Sequence, residues 1–242
     1  MAMPMRWPTS TPAWICAGSI EDSHAVSLLM PLRSWVKLGV FLLSFYPAGV
    51  MFYKVWRAYL GLPVDLGPDP PQTLALETGE WAIRFLVGSL WITPLRYLLA
   101  APVIWQYRRM IGLYALFYTV LHFLVFLFFI LQLSFADLGR EIVERPYITI
   151  GFLALVLMIP LGLTSFQAAQ RKMGRSWKKL HRVVYVINVL AVLHVVWIVR
   201  SSYGDAVLYG SLVTFALLYR LLRSRVEAVR KFHLPLWGNK KN

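Results

Sequence analysis

The sequence predicts an all-α membrane protein: one bundle of six transmembrane helices with both termini in the cytoplasm. Hydrophobic residues make up 58% of the 242 residues and charged residues only 15%, whereas about a quarter of the residues in a soluble domain are charged. Several segments approach the roughly 20 apolar residues that cross about 30 Å of hydrocarbon. The loops between these segments alternate between basic and acidic. These observations define the class, and the elements follow in order.

In chain order, the predicted spans are approximately residues 38–53, 80–100, 112–131, 147–166, 183–199 and 205–223. The third and fourth are the clearest, because each is an apolar run about as long as a membrane is thick. The second and sixth are the least apolar. The second carries Arg84 and Arg96 near its ends, and the sixth ends in Arg220 and Arg223.

The loops between the predicted spans form a basic set and an acidic set. Residues 96–110 and 171–182 contain basic residues and no acid, and from Arg220 onward Glu227 is the only acid. The other loops carry the acids Asp65, Asp69, Glu77, Glu80, Asp137, Glu141, Glu144 and Asp205. Because Lys and Arg mark cytoplasmic loops, both termini and the basic loops are predicted to be cytoplasmic. The net charge of +14 therefore reflects membrane topology, and no nucleic-acid partner is expected.

The two ends of the chain are predicted to lie outside the membrane domain, which covers residues 35–225. Residues 1–34 form either a disordered leader or an over-extended start, with the true start at Met30; they lack the apolar core of a cleaved signal peptide. Residues 226–242 are predicted to form a basic cytoplasmic tail. The single cysteine, Cys16, excludes an internal disulfide.

Two histidines lie inside apolar spans, where an unsatisfied polar group is costly. His122 lies about 11 residues into its span from the cytoplasmic end and His194 about 13 residues into its own, at depths of roughly 16 and 19 Å. Imidazoles at matching depth on two helices can bind one metal from opposite sides, as in a bis-histidine haem. The alternatives are hydrogen-bonded structural histidines or members of a proton path.

A third histidine, His181, lies at the cytoplasmic end of the same helix as His194. The 13 residues between them correspond to about 20 Å along the axis and an angle of about 140°. This position suits a second redox site, but the matching depth on the third span is held by Arg108 and Arg109. If the second site holds a haem, its other ligand is not a histidine at the matching depth of the third span. Otherwise His181 serves the first cofactor indirectly, binds something else, or is a solvated interfacial residue. The two arginines are positive-inside anchors or contacts for haem propionates, a flavin or a quinone.

Four segments together resemble the YedZ/MsrQ family: "PLRYLL", "RRMIGLYALFYTVLHF", "RPYITIGFLALVLMIPLGLTS" and "RKMGRSWKKLHRVVYVINVLAVLHVVW". The resemblance covers roughly residues 35–230. Members of this family are haem-binding membrane subunits of the bacterial MsrPQ methionine sulfoxide reductase system, a branch of the ferric-reductase-like transmembrane domains.

The resemblance implies one or two b-type haems, with His122, His181 and His194 at the family's haem-associated positions. It also implies a multi-pass protein of the bacterial inner membrane that is linked to quinol and binds FMN. The FMN expectation rests on the resemblance alone, since the sequence contains no flavin motif. Members of the family pass electrons to MsrP, a periplasmic molybdopterin enzyme that reduces methionine sulfoxide in oxidised proteins.

The expected function is therefore electron relay, with the substrate chemistry on the partner and no catalytic residue in this chain. Only about 20 residues follow the last predicted helix, far fewer than a domain contains. Electrons are thus expected from the quinone pool or from a cytoplasmic flavin reductase. Two alternatives remain: a stand-alone ferric or quinone reductase of the same fold, and a proton-coupled small transporter. Against the transporter, no carboxylate lies within a clear span and no internal repeat is apparent.

Overall fold

The computed structural model describes the backbone of residues 14–198 and 203–233, and the side chains of residues 34–198 and 203–226. All regular elements in this part of the chain are helical. In order they are α1 (Trp14–Tyr59), α2 (Pro70–Leu98), α3 (Arg108–Val125), α4 (Phe135–Glu144), α5 (Pro146–Leu163), α6 (Gln167–Met173), α7 (Arg175–Leu180), α8 (Val184–Ile198) and α9 (Gly204–His233). Short 3-10 helices at Pro102–Tyr107 and His181–Val183 lead into α3 and α8, and a π-helix at Phe126–Ile130 extends α3.

Within the described residues, five helical segments are long and apolar enough to cross a membrane. They are Ser34–Tyr59, Pro102–Ile130, Pro146–Leu163, Arg175–Ile198 and Gly204–Val226. The chain is therefore a multi-pass membrane protein, as predicted, and five of the six predicted spans correspond to such segments. The remaining one is α2, a helix of 29 residues and thus about 43 Å long. Its polar residues keep it out of the apolar set, so the sixth span and the cytoplasmic termini stay predictions.

Residues 1–46 and residues 47–242 form two compact units, and the boundary falls inside α1. The described part of the first unit is an apolar helix whose side chains are largely exposed; Trp35 and Leu43, for example, are 69% and 73% exposed. Such exposure suits a surface covered by lipid. The predicted boundaries of the membrane domain, at residues 35 and 225, are not tested by this division.

The core of the second unit is built around α2, although α2 is a long helix that falls outside the apolar set. Ile83, Val87 and Leu90 of α2 pack against Tyr209 and neighbouring side chains of α9. On an adjoining face of α2, Leu86 meets α3, α5 and α8 in a second cluster, together with Ala115, Ala154, Met158 and Ile187. This helix is therefore enclosed by protein on several sides.

Arg220 of α9 ties α9 to both α2 and α8. Pro94 lies inside α2 and has no backbone N–H, so the carbonyl of Leu90, four residues earlier, loses its usual partner. The Arg220 guanidinium donates from Nη2 to that carbonyl at 2.6 Å and to Thr93 Oγ1 at 2.8 Å, and from Nη1 to Tyr185 Oη at 2.8 Å. The arginine thus replaces the hydrogen bond that the proline removes.

Candidate functional site

The structure brings His122 of α3 and His194 of α8 together. Their ring centroids are 6.3 Å apart and the ring planes cross at 82°. The two residues are 72 positions apart in sequence, and they meet because α2 packs on α3 and α5 packs on α8 around a shared core. Both rings are half-buried.

The His122 ring is held by α2. Its Nδ1 lies 2.8 Å from the backbone oxygen of Ala75 and 3.4 Å from Thr78 Oγ1. Because a carbonyl oxygen can only accept, Nδ1 carries the proton in this hydrogen bond. In the neutral ring, Nε2 is then the nitrogen with the free lone pair, which is the form that ligates a metal.

The His194 ring is held by α5 in the same manner. Its Nδ1 lies 2.6 Å from the backbone oxygen of Tyr147, and the Tyr147 ring lies beside the imidazole with centroids 6.4 Å apart. Here too Nδ1 donates, and Nε2 is left to coordinate. Hydrogen bonds of this kind from the second ring nitrogen are the usual way in which proteins orient histidine ligands.

The separation of the two rings is compatible with an iron held between two imidazoles. A metal–imidazole bond of about 2.0 Å and a distance of about 1.1 Å from ring nitrogen to ring centroid, from ordinary bond lengths, place two opposed centroids about 6 Å apart. The 6.3 Å separation agrees with that distance. Among the side chains that the structure describes, no group of three or more His, Cys, Asp or Glu could hold a metal ion. Two ligands alone suit the axial positions of a macrocycle better than a tetrahedral ion.

Two phenylalanines pack on each other across α3 and α5. Phe123 follows His122 on α3, and Phe152 lies on α5, the helix that holds His194; their ring centroids are 5.8 Å apart. Apolar side chains near a redox site keep the local dielectric constant low and restrict water. Burial and second-shell hydrogen bonds are the means by which a protein adjusts the potential of a haem.

His181 lies elsewhere, in the 3-10 helix between α7 and α8. Its ring stacks on Trp177 with centroids 3.9 Å apart, and its Nδ1 lies 3.2 Å from the Trp177 carbonyl oxygen. The Trp177 indole donates to the Thr164 carbonyl at 2.9 Å, which ties α7 to the end of α5. His181 Nε2 is buried and makes no hydrogen bond of normal geometry, although the Leu161 carbonyl is nearby. None of the described contacts joins His181 to the other two histidines.

Arg108 and Arg109, both predicted as possible cofactor contacts, have different environments in the structure. Arg109 is exposed, whereas Arg108 is half-buried, with its guanidinium 5.0 Å from the Trp105 ring centroid. Arg108 interacts with Tyr185 and is close enough to Arg220 for mutual repulsion. Two guanidinium groups therefore approach one tyrosine.

The ion pairs described in the structure all involve acids of the acidic loops, and none involves this arginine pair. They are Lys54–Glu77, Arg84–Glu80, Arg140–Asp137 and Arg145–Glu141. Half-buried guanidinium groups without a carboxylate suit a carboxylate, a phosphate or a quinone oxygen. Sequence analysis assigned no functional role to Arg220. The signal available was an arginine inside a span, which is rare unless it serves a purpose.

One known protein family matches the central part of the chain. The family described as "Ferric reductase like transmembrane component" matches residues 78–192, which include His122 and His181 and end two residues before His194. Over these residues the chain is similar to the ferric-reductase-like transmembrane components. No solved structure matches it.

Curated relatives then identify the family. A "Protein-methionine-sulfoxide reductase heme-binding subunit MsrQ" of Xanthomonas euvesicatoria pv. vesicatoria is 39% identical over 72% of this chain and 80% of its own length. The MsrQ of Xanthomonas axonopodis pv. citri is 38% identical, with coverages of 78% and 88%. That of Polaromonas naphthalenivorans is 36% identical, with coverages of 79% and 86%. The chain belongs to the MsrQ family.

Proposed function

We propose that this chain is a membrane b-type cytochrome that holds haem between His122 and His194 and relays electrons to a methionine sulfoxide reductase. The observation that carries the proposal is the close pair of imidazoles, each with Nδ1 bonded to a backbone carbonyl and Nε2 left to coordinate. The relatives of the MsrQ family are named heme-binding subunits of such a reductase, which supports the proposal independently.

Each residue of the site has a separate role in this proposal. The haem supplies the one-electron chemistry when it is bound. Nε2 of His122 and Nε2 of His194 would hold the haem iron, while the carbonyls of Ala75 and Tyr147 keep the proton on Nδ1 and fix the rings. No residue of this chain acts on methionine sulfoxide, so the site has ligands but no catalytic residue.

The proposed direction of electron flow follows from the predicted topology. With six spans in the bacterial inner membrane and both termini cytoplasmic, residues 96–110 and 171–182 form a basic cytoplasmic surface. A soluble flavin reductase would dock on this surface, and an acidic partner would be steered to it; quinol in the membrane is the other proposed donor. The acceptor is the periplasmic molybdopterin enzyme MsrP, which lies on the side of the acidic loops.

We assign the input of electrons to the region of His181 and Arg108. The stacked pair of Trp177 and His181, with a buried ring nitrogen, can flank or ligate a second redox group. Arg108, together with Arg220, can contact a propionate, a quinone oxygen or the phosphate of FMN. Arg109 is exposed and contributes charge to the docking surface. Whether the chain binds one haem or two depends on His181.

Haem quantitation on the purified protein tests this proposal. Wild type should show the sharp reduced bands of a six-coordinate b-type cytochrome. His122→Ala and His194→Ala should each lose most of the haem of this site while remaining in the membrane. His233→Ala, in the C-terminal segment, is the control and should keep all of it. Wild-type haem content in either deep-histidine variant contradicts the proposal.

The match to the ferric-reductase family supports one alternative, a stand-alone ferric or quinone reductase of the same fold. The two functions differ in the acceptor. Reduced protein should be reoxidised by purified MsrP together with methionine sulfoxide, and slowly by ferric citrate. The reverse order of rates would favour the alternative.

A further inference from the structure

The two histidines are held by two equivalent arrangements of helices. In each, the histidine Nδ1 bonds to a backbone oxygen 47 positions earlier, and a glycine follows that oxygen's residue by four positions. The first arrangement, on α2 and α3, is Ala75, Gly79 and His122; the second, on α5 and α8, is Tyr147, Gly151 and His194. Every member of the second lies 72 positions after its counterpart (147 − 75, 151 − 79 and 194 − 122).

The position of the glycine has a direct physical reason. In an α-helix the residue four positions on lies directly above a carbonyl on the same face. A side chain there would cover the carbonyl oxygen that the imidazole must reach. A Cβ added at Gly79 would lie 3.2 Å from both Cε1 and Nδ1 of His122. At Gly151 the added Cβ would lie 2.6 Å from Cε1 and 2.7 Å from Nδ1 of His194.

The atoms that an added Cβ would meet distinguish these glycines from Gly88, Gly112 and Gly162, the last of which would meet the Leu116 side chain and no histidine. Gly88, also on α2, has only Ile111 Cγ2 at 3.8 Å, an ordinary contact, and Gly112 on α3 has nothing within 4 Å. At Gly79 and Gly151 the nearest atoms all belong to the histidine rings. These two glycines are thus fitted to the imidazoles and not to the general approach of two helices.

We infer that Gly79 and Gly151 are positioning residues for the two imidazoles. Each glycine, with the carbonyl one turn before it, forms a seat that sets the tautomer and the rotation of one ring, and the two seats together set the near-perpendicular crossing of 82°. The inference rests on the proposed haem ligation. It adds that the crossing angle, and with it the electronic state of the iron, is encoded in two glycines that contact no metal.

The test uses Gly79→Ala and Gly151→Ala in the full-length protein, with Gly88→Ala and Gly112→Ala as matched controls. The readouts are haem content and the low-temperature EPR spectrum of the ferric protein, whose low-field g value depends on the angle between axial imidazole planes. Gly151→Ala, with the closer contact, should lower haem affinity by roughly tenfold or more, as loss of second-shell support does. Gly79→Ala should keep the haem but shift the low-field g value. Both controls should match wild type.

The outcomes separate this inference from the haem proposal. Wild-type haem content and g values in both Gly79→Ala and Gly151→Ala would overturn the inference and leave the ligation proposal intact. A wild-type protein without a six-coordinate spectrum would instead overturn the proposed function. If Gly151→Ala fails to accumulate, Gly79→Ala decides: an unshifted g value there overturns the inference. A shift of the same size in Gly88→Ala would also overturn it, because the effect would then not be specific to the seats.

Discussion

Removal of Arg220 should destabilise the protein because Pro94 has left the Leu90 carbonyl without a helical partner. Arg220→Leu deletes three hydrogen bonds from a charged donor, to Leu90, Thr93 and Tyr185. It also leaves the Leu90 carbonyl unsatisfied beside a side chain that is 1% exposed. An unsatisfied buried carbonyl costs about 1–3 kcal/mol, and a hydrogen bond to a charged group contributes about 1.5–3 kcal/mol. Since Arg220 is itself half-buried, we expect a net loss of about 3 kcal/mol in the free energy of unfolding.

A double-mutant cycle with Pro94→Ala isolates the part of this loss that belongs to the freed carbonyl. Alanine restores a backbone N–H four residues after Leu90, so the carbonyl has a helical partner again. In that background Arg220→Leu should cost about 1–2 kcal/mol less than in wild type, a coupling of the size seen between residues that share a hydrogen bond. Any small cavity left by Pro94→Ala is present in both Pro94→Ala variants and cancels in the cycle.

Reversible unfolding in mixed detergent micelles, followed by circular dichroism, measures these differences. Arg225→Leu is the matched control, because Arg225 lies on the same helix but is exposed, and its removal should change the unfolding free energy by less than about 0.5 kcal/mol. Equal costs of Arg220→Leu in the two backgrounds, within about 0.5 kcal/mol, would refute the link to Pro94. A cost no larger than that of the control would refute the structural role of Arg220.

Three further predictions concern the core, the topology and the input of electrons. Tyr118→Phe should lower the unfolding free energy by about 1–2 kcal/mol, because the fully buried Tyr118 hydroxyl accepts from the Ala48 N–H at 3.1 Å; an unchanged midpoint would contradict this. A reporter active only in the periplasm should be silent after Lys241 and active near Asp69, and an active C-terminal fusion would reverse the orientation. His181→Ala should keep the deep haem, reducible by dithionite, but block reduction by the physiological donor; wild-type rates with both reductants would make His181 inert.

The pairing of the deep histidines could be anticipated, whereas the way in which they are held could not. Span boundaries and helical rise place His122 and His194 at similar depths from one end of the bundle. The hydrogen bonds to Ala75 and Tyr147 depend on how one helix is rotated and shifted against another, and a single sequence carries no register between helices. Gly79 therefore resembles the small residues common at membrane helix contacts. The contact that gives Gly79 its inferred role, with the His122 imidazole, is known only from the structure.

For the region of His181, the sequence predicts the location, but it does not show which of the nearby arginines belongs to it. Helical rise places His181 and Arg108 near one surface, and both arginines at positions 108 and 109 are equal candidates in the sequence. The structure separates them, because consecutive residues of a helix point about 100° apart: Arg108 interacts with Tyr185 while Arg109 is exposed. The contribution of Arg220 could not be found by searching for partners of opposite charge, since its hydrogen-bond partners described above are neutral.

The place of α2 in the fold explains why hydropathy ranks it low although the site depends on it. In a bilayer, apolar side chains suffice on the surface that faces lipid, whereas polar groups are tolerated where protein satisfies them. The α2 helix supplies the Ala75 carbonyl to His122 and the Leu90 carbonyl to Arg220, and Thr78 lies buried at 1% exposure beside the first of these. Such a helix needs glycine, threonine and proline where a lipid-facing helix has leucine. The α5 helix does the same for His194 and is apolar enough to count among the five candidate spans, so hydropathy alone does not tell which helices hold the proposed ligands.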